Sequence, residues 1–240
     1  MKLAVIVPYW SGDAKKAFDL LDFIAELEPK FRDDVIVCPV PRWDMAKDGS
    51  DDFPALRAKF PVFNWRSVTP GDGWPDGCNA MALDIYRMAE KRWEDGWWQD
   101  VGACLLMEPD AVPISKSWLD ELKLEWLNAV AYNPEVLVVG SWRNSGPYPC
   151  GHINGNCLFH PMLARRVDIE HVPPGLAYDC ALAPQLRHRW KISGLFKNLF
   201  QSATATEEML TTPEVGERRP VIVHGVKDGS ALEYARRTLL

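Results

Sequence analysis

Residues 3–40 limit the fold of this chain more than any other stretch. Residues 3–7 are an unbroken apolar run of strand length, and residues 35–40 are a second one, closed by Pro39 and Pro41. Between them Ala14, Ala17, Phe18, Leu21, Ile24 and Ala25 recur at helical spacing, with Ser11 placed to cap the helix and Pro29 to end it. An amphipathic helix linking two apolar strands over short connections is a βαβ unit, which predicts a parallel pair of strands with a helix packed on them.

The pattern then repeats with variations. A short strand is expected near residues 62–63, and Thr69 to Gly77 has the composition of a loop. A helix is expected from residue 79 to about residue 93, with Ala80, Leu83, Tyr86, Met88 and Ala89 among its apolar positions. The next apolar strand runs out through Leu105-Leu106-Met107 into Glu108-Pro109-Asp110. Ser115 or Ser117 starts a further helix carrying Leu119, Leu122, Trp126 and Val130, and residues 136–139 form another core strand that leads into Gly140-Ser141-Trp142-Arg143. Beyond residue 143 the order changes. Residues 144–156 are rich in Gly, Pro and Asn, 157–159 read as a strand, Pro161 opens a short helix, 177–190 are helical in part, and 221–223 are a late strand. The expectation is one α/β domain over residues 1–240: a mostly parallel sheet flanked by helices, with a mixed C-terminal part.

Composition narrows the class. With 240 residues, 47% of them hydrophobic and 25% charged, the chain can bury one substantial core. The first strand is too short for the apolar part of a signal peptide, and no stretch reaches the ~18 apolar residues of a membrane span. Six cysteines without C-x-x-C spacing fit a reduced, cytoplasmic protein. A net charge of −6 argues against indiscriminate nucleic-acid binding. The charge is uneven, however: +2 from Ala164 onward and −8 before it. The basic run Arg187-His188-Arg189-Trp190-Lys191 is either a solvated face or a patch for an anionic acceptor such as DNA.

In open α/β sheets ligands bind beyond the carboxyl ends of the strands. Tyr9, Arg42, Glu108, Asp110, Trp142 and His224 all follow apparent strand ends, so one cleft can collect them. Two acids at the exit of a core strand are costly to keep dry, so they face water, hold a cation or take part in chemistry. Paired carboxylates suit Mg²⁺ or Mn²⁺, His224 can add a nitrogen ligand, and Lys227 can neutralise phosphate. Trp142 can stack on a sugar or base.

The order of these features resembles the GT-A fold glycosyltransferases, in which an acidic D-x-D motif ends a sheet strand and holds a metal that grips the diphosphate of a nucleotide sugar. Glu108-Pro109-Asp110 looks like a variant of that motif, and His224-Gly225-Val226-Lys227 looks like the C-terminal His, Gly and Lys of several members. The resemblance spans residues 2–228 as scattered short motifs. It implies a donor-binding part over 1–140 and an acceptor-side part over 141–240. Asp110 and His224 would ligate Mn²⁺ or Mg²⁺. Glu108 would serve sugar, ribose or metal-bound water, and Lys227 the phosphates. Pro8 and Tyr9 would contact the base, Arg42 the base or a phosphate, and Asn79, at a Gly-Cys-Asn-Ala helix start, would lie beside the nucleotide. Trp142, His152, Asn154 and Asn156 would form the acceptor side, and Asp179 would be the base of an inverting transfer. The implied donor is a nucleoside-diphosphate sugar, UDP-linked first. The implied acceptor is a hydroxyl, with a hydroxymethylated DNA base as one option by analogy with compact phage enzymes.

Two other readings stay open. A nucleotidyltransferase would place a Gly-rich basic loop after the first strand, where this chain reads Pro8-Tyr9-Trp10-Ser11-Gly12 and has no basic residue before Lys15. A non-catalytic carbohydrate or nucleic-acid binding module would use the eleven tryptophans without a metal.

Overall fold

The computed structural model describes residues 1–45, 52–144, 151–199, 204–214, 216 and 218–240. The acidic segment at residues 48–51 and Cys150 lie outside the described residues. In chain order the elements are β1 (Lys2–Tyr9), α1 (Ala14–Leu27), β2 (Val35–Pro41), α2 (Pro54–Arg57), α3 (Asp76–Glu94), β3 (Val101–Leu106), β4 (Val112–Pro113) and α4 (Trp118–Tyr132). They continue with β5 (Val138–Arg143), β6 (His152–Phe159), α5 (Leu163–Arg166), α6 (Tyr178–Leu182), β7 (Trp190–Ile192), β8 (Phe196–Asn198), α7 (Glu207–Thr211), β9 (Ile222–His224) and α8 (Ser230–Leu239).

Six strands form one sheet in the order β2-β1-β3-β6-β5-β7, and three form a second in the order β4-β9-β8. In the larger sheet β1 pairs in parallel with β2 and β3, and β5 with β7; β6 alone runs the other way, between β3 and β5. The sheet is therefore mostly parallel, as the opening βαβ unit predicts. Apolar side chains alternate along β1 into two cores. Leu3, Val5 and Val7 pack with α1 residues such as Leu20, Leu21 and Ile24, while Ala4 and Ile6 pack with Ile85, Met88 and Ala89 of α3. Helices on both faces explain why the strands read as continuous apolar runs.

Several local expectations shift. α1 starts at Ala14, so its flanking residue is Asp13 rather than Ser11, and the Trp10 amide donates to the Asp13 carboxylate at 2.8 Å. The strand expected near 62–63 is a single parallel bridge from Val62 to Val37. α3 begins at Asp76, which places Asn79 inside its first turn. Residues 152–156, read as part of a loop, belong to β6; their polar side chains disguise a strand that one sheet edge leaves facing a cavity. Among the described residues no helix is long and apolar enough to cross a membrane.

Two predictions arise here. Buried Asp84 of α3 accepts hydrogen bonds from Ser67 Oγ (2.7 Å), Val68 N (2.8 Å), Thr69 N (2.8 Å) and Thr69 Oγ1 (2.6 Å), tying down the segment that leads to α3. Asp84→Ala strands these donors and should cost about 3 kcal/mol in urea denaturation. His160, just past β6, has its imidazole pushed down to about 4 by burial, with the Arg166 charge adding to the effect. The Met162 amide donates to its Nδ1 at 3.0 Å, which also favours the neutral ring. The unfolded chain then binds the extra proton between about pH 4 and 6.5, so stability falls as pH drops through that window. His160→Gln should flatten this part of the stability profile by about 2 kcal/mol.

Candidate functional site

β1, β3 and β5 deliver their carboxyl ends, and reversed β6 its amino end, to one edge of the sheet. A cavity of about 410 Å³ opens there. Its walls include Pro8 and Tyr9 from β1, Asn79 from α3, Glu108 and Asp110 beyond β3, His152 and Asn154 from β6, Asp179 from α6, and His224 and Lys227 at and after β9.

The acidic turn is pinned by its backbone. Met107 N donates to Ile6 O at 3.0 Å, Glu108 N to Asn156 Oδ1 at 2.7 Å, and Ala111 N to Glu108 O at 2.8 Å. The second sheet carries β9 alongside through its antiparallel pairing with β4, and so presents His224. His224 Nε2 lies 2.8 Å from Glu108 Oε2 and 3.4 Å from Asp110 Oδ1, and Lys227 Nζ lies 2.5 Å from Asp110 Oδ2. Nδ1 of His224 meets Asn198 Oδ1 at 2.7 Å, and Asn198 Nδ2 in turn donates a short hydrogen bond to Ser141 Oγ. That contact fixes the ring and leaves Nε2 aimed at the acids. Gly225 has φ +93°, a conformation favourable only to glycine, and it turns the chain from His224 towards Lys227.

Burial opposes charge at this site, and the opposite charges outweigh it. Desolvation works against the imidazolium of His224, yet Asp110 and Glu108 raise it to about 9. Burial likewise works against the Asp110 carboxylate, yet His224 and Lys227 hold it well below the usual range. Asp13 is a third carboxylate on the cavity wall, raised first by its burial and further by Glu108 and Asp110. Glu108, Asp110 and His224 bring two oxygens and a nitrogen within 4.8 Å of one another. Asp110 Oδ2 and His224 Nε2 are buried in ion pairs but make no well-directed hydrogen bond. A surplus of carboxylates and an O,O,N donor set fit a hard divalent cation.

On the wall of the same cavity Asp179 accepts from Gly155 N at 3.2 Å and Cys180 N at 2.9 Å, and its Oδ2 is 3.7 Å from His152 Nε2. Desolvation raises its carboxyl, with His152 opposing. Such a group can take a proton from a bound hydroxyl. Asn79 does not cap α3: its side chain donates to Leu176 O at 2.8 Å and accepts from Tyr178 N at 2.8 Å, locking α3 to the segment that carries Asp179.

Four candidates sit otherwise than expected. Tyr9 reaches the wall, but its ring is 1% exposed and packs edge-on against Phe18, so it offers no face for stacking. Trp142 is turned away from the cavity onto Trp190, at 4.8 Å between ring centroids. Arg42 is held by Asp44 (2.5 Å) and lies over the Trp10 ring rather than lining the cavity. Asn156 is buried and spends its side-chain oxygen on the Glu108 amide, so it holds the acidic turn rather than facing the cavity. The basic run fares similarly. β7 runs parallel to β5, and Leu137 N donates to Arg189 O at 2.6 Å; Arg187, His188 and Arg189 therefore lie at the end of the sheet opposite the cavity.

The sequence reading missed Trp10, Asp13, Trp74, Arg143 and Asn198. Trp10 is 46% exposed and Trp74 70% exposed, both on the cavity wall. The Trp10 indole lies across Gly12, where any Cβ would meet the ring at 2.4 Å, and the Arg42 guanidinium sits 5.4 Å from its centroid. The sequence signal for this was present in Trp10-Ser11-Gly12. Asn198 had none, since its partner His224 is 26 residues away in another strand.

Comparison with known proteins follows the same lines. No known sequence family matches this chain, and no curated protein does. Among solved structures, mouse xyloside xylosyltransferase 1 superposes with a TM-score of 0.58 at 10% identity, covering 94% of this chain and 98% of that one. An active-site variant of LgtC gives 0.55 at 10% identity, covering 92% and 86%. S. aureus TarS solved with UDP-GlcNAc gives only 0.48 at 16% identity, and this chain spans 56% of its length. The first two likenesses establish the GT-A fold.

Proposed function

We propose that this GT-A fold is a metal-dependent glycosyltransferase that moves a sugar from a nucleoside diphosphate, UDP first among them, to a hydroxyl acceptor. The observation that carries the reading is the meeting of Glu108, Asp110, His224 and Lys227 in the same cavity as Asp179. Asp110 and His224 would hold Mn²⁺ or Mg²⁺, with Glu108 beside them on the sugar, the ribose or a metal-bound water. When bound, the ion supplies electrophilic stabilisation of the departing diphosphate.

The remaining work falls to the chain. Lys227, paired here with Asp110, would neutralise phosphate charge. Pro8 and the firmly seated Trp10 flank the base, taking over the stacking that buried Tyr9 cannot provide. Asn79 holds the Tyr178 amide in register, which sets where Asp179 points. Asp179 accepts the proton of the acceptor hydroxyl, the role that the carboxylate base takes in an inverting transfer. His152 and Asn154 hydrogen-bond the acceptor, and the indole of Trp74 at the mouth suits a planar base or the flat face of a sugar. A hydroxymethylated base in DNA fits those requirements as an acceptor.

The test is product analysis. A panel of UDP- and GDP-sugars is incubated with Mn²⁺ and either simple glycosides or hydroxymethylated DNA, and sugar transfer is read by mass. Sugar-dependent mass gain on an acceptor is the expected result. Absence of both transfer and nucleotide release across the panel rejects the reading.

A further inference from the structure

The acceptor wall of the cavity carries a second group of ligand atoms with a different chemistry. His152, Asp179 and Cys180 offer a nitrogen, an oxygen and a sulfur that all lie within 4.8 Å of one another. Cys180 Sγ is 3.5 Å from His152 Nδ1 and 3.6 Å from Nε2, and Nε2 is 3.7 Å from Asp179 Oδ2. A tetrahedral zinc ion, with bonds of about 2.3 Å to sulfur and about 2.0 Å to nitrogen or oxygen, separates S from N by about 3.5 Å and N from O by about 3.3 Å. The sulfur–nitrogen separation already matches such an ion; the nitrogen–oxygen pair must close by about 0.4 Å, and because Sγ is nearly equidistant from the two ring nitrogens the His152 ring must also turn to aim a lone pair at the ion. Two features hold them in place. The Asp179 carboxylate is fixed by the Gly155 and Cys180 amides, and β6 fixes His152 against β5 at the Arg143 pairing.

We propose that His152, Asp179 and Cys180 form a second cation site, selective for zinc-like ions, whose open fourth position faces the cavity. Selectivity follows from the donors. The Glu108, Asp110 and His224 set is two oxygens and a nitrogen and suits Mn²⁺ or Mg²⁺, whereas a thiolate beside an imidazole suits Zn²⁺. Binding releases the Cys180 thiol proton to solvent as the Zn–S bond forms. One consequence rests on the transferase reading above. An ion on Asp179 occupies the carboxylate that the acceptor hydroxyl needs, so zinc should inhibit transfer in competition with the acceptor and not with the donor.

The test uses full-length protein stripped with chelator and titrated with Co²⁺ while the near-ultraviolet thiolate-to-cobalt charge-transfer absorption is followed. Cys78 and Cys150 are replaced by serine throughout, so that neither can contribute. The expected result is a saturating band at one equivalent that persists in Asp110→Ala, is lost in Cys180→Ser and is displaced by Zn²⁺. No band, or a band that survives Cys180→Ser, overturns the site whether or not the protein transfers sugar. In the transfer assay, Cys180→Ser should raise the zinc inhibition constant at least about tenfold. A band without zinc inhibition supports the site and removes Asp179 from the reaction.

Discussion

Asp110→Ala should lower the Mn²⁺-dependent transfer rate by about 10³-fold, the loss of roughly 4 kcal/mol of transition-state stabilisation. Asp110 is 7% exposed, sits between His224 and Lys227, and is the acid whose charge the site favours most. Its removal takes away the proposed cation ligand and leaves His224 and Lys227 without the carboxylate between them. The same change should abolish the effect of Mn²⁺ on nucleotide binding. Because a buried ion pair is broken, the variant will also be less stable, and Asp110→Asn, which keeps the shape, separates the two effects. Glu108→Gln should cost less, about 10- to 100-fold, because Glu108 is more exposed and its amide anchor to Asn156 survives the change. If Asp110→Ala keeps its rate within about threefold, the acids do not hold the metal.

Asp179→Asn should reduce kcat by about 10²- to 10⁴-fold while leaving the KM for the donor unchanged. Asparagine has a single side-chain oxygen, so it keeps one of the Gly155 and Cys180 amide contacts, and the shape of the side chain, while the other contact is lost with the proton acceptor. The pH profile supplies a second readout. Burial raises the Asp179 carboxyl above its ordinary value, so the wild-type rate should climb with pH on the acid side as the group ionises, and the asparagine variant should lack that limb. A variant with full kcat assigns Asp179 to structure. One with raised donor KM and unchanged kcat assigns it to binding.

β1, β2, β3 and β5 were legible because each carries its own apolar run, and the helices between them their 3.6-residue stripe; β7, a short Trp-Lys-Ile strand inside the basic run, was not. β6 was not fully legible: Ile153, Cys157, Leu158 and Phe159 are buried, but the His, Asn and Gly among them point to the cavity or to the acidic turn and mimic loop composition. Of the residues that follow strand ends, Glu108, Asp110 and His224 come together at the cavity, whereas Arg42 and Trp142 do not line it. What failed was side-chain direction. Tyr9 and Trp10 are adjacent, and strand alternation sends one ring into the core against Phe18 and leaves the other at the mouth. Trp142 follows a strand end too, but a neighbouring Trp190 on β7 claims its ring. Contacts between distant segments, such as Asn198 with His224 or Asn156 with Glu108, leave no local pattern to read.

The most direct measurement is titration calorimetry of the wild-type protein with UDP and GDP, in chelator and in Mn²⁺. The account predicts binding to one site that strengthens at least about tenfold in Mn²⁺, with the gain lost in Asp110→Ala. Nucleotide affinity that is absent in both conditions, or present and indifferent to Mn²⁺, would contradict it.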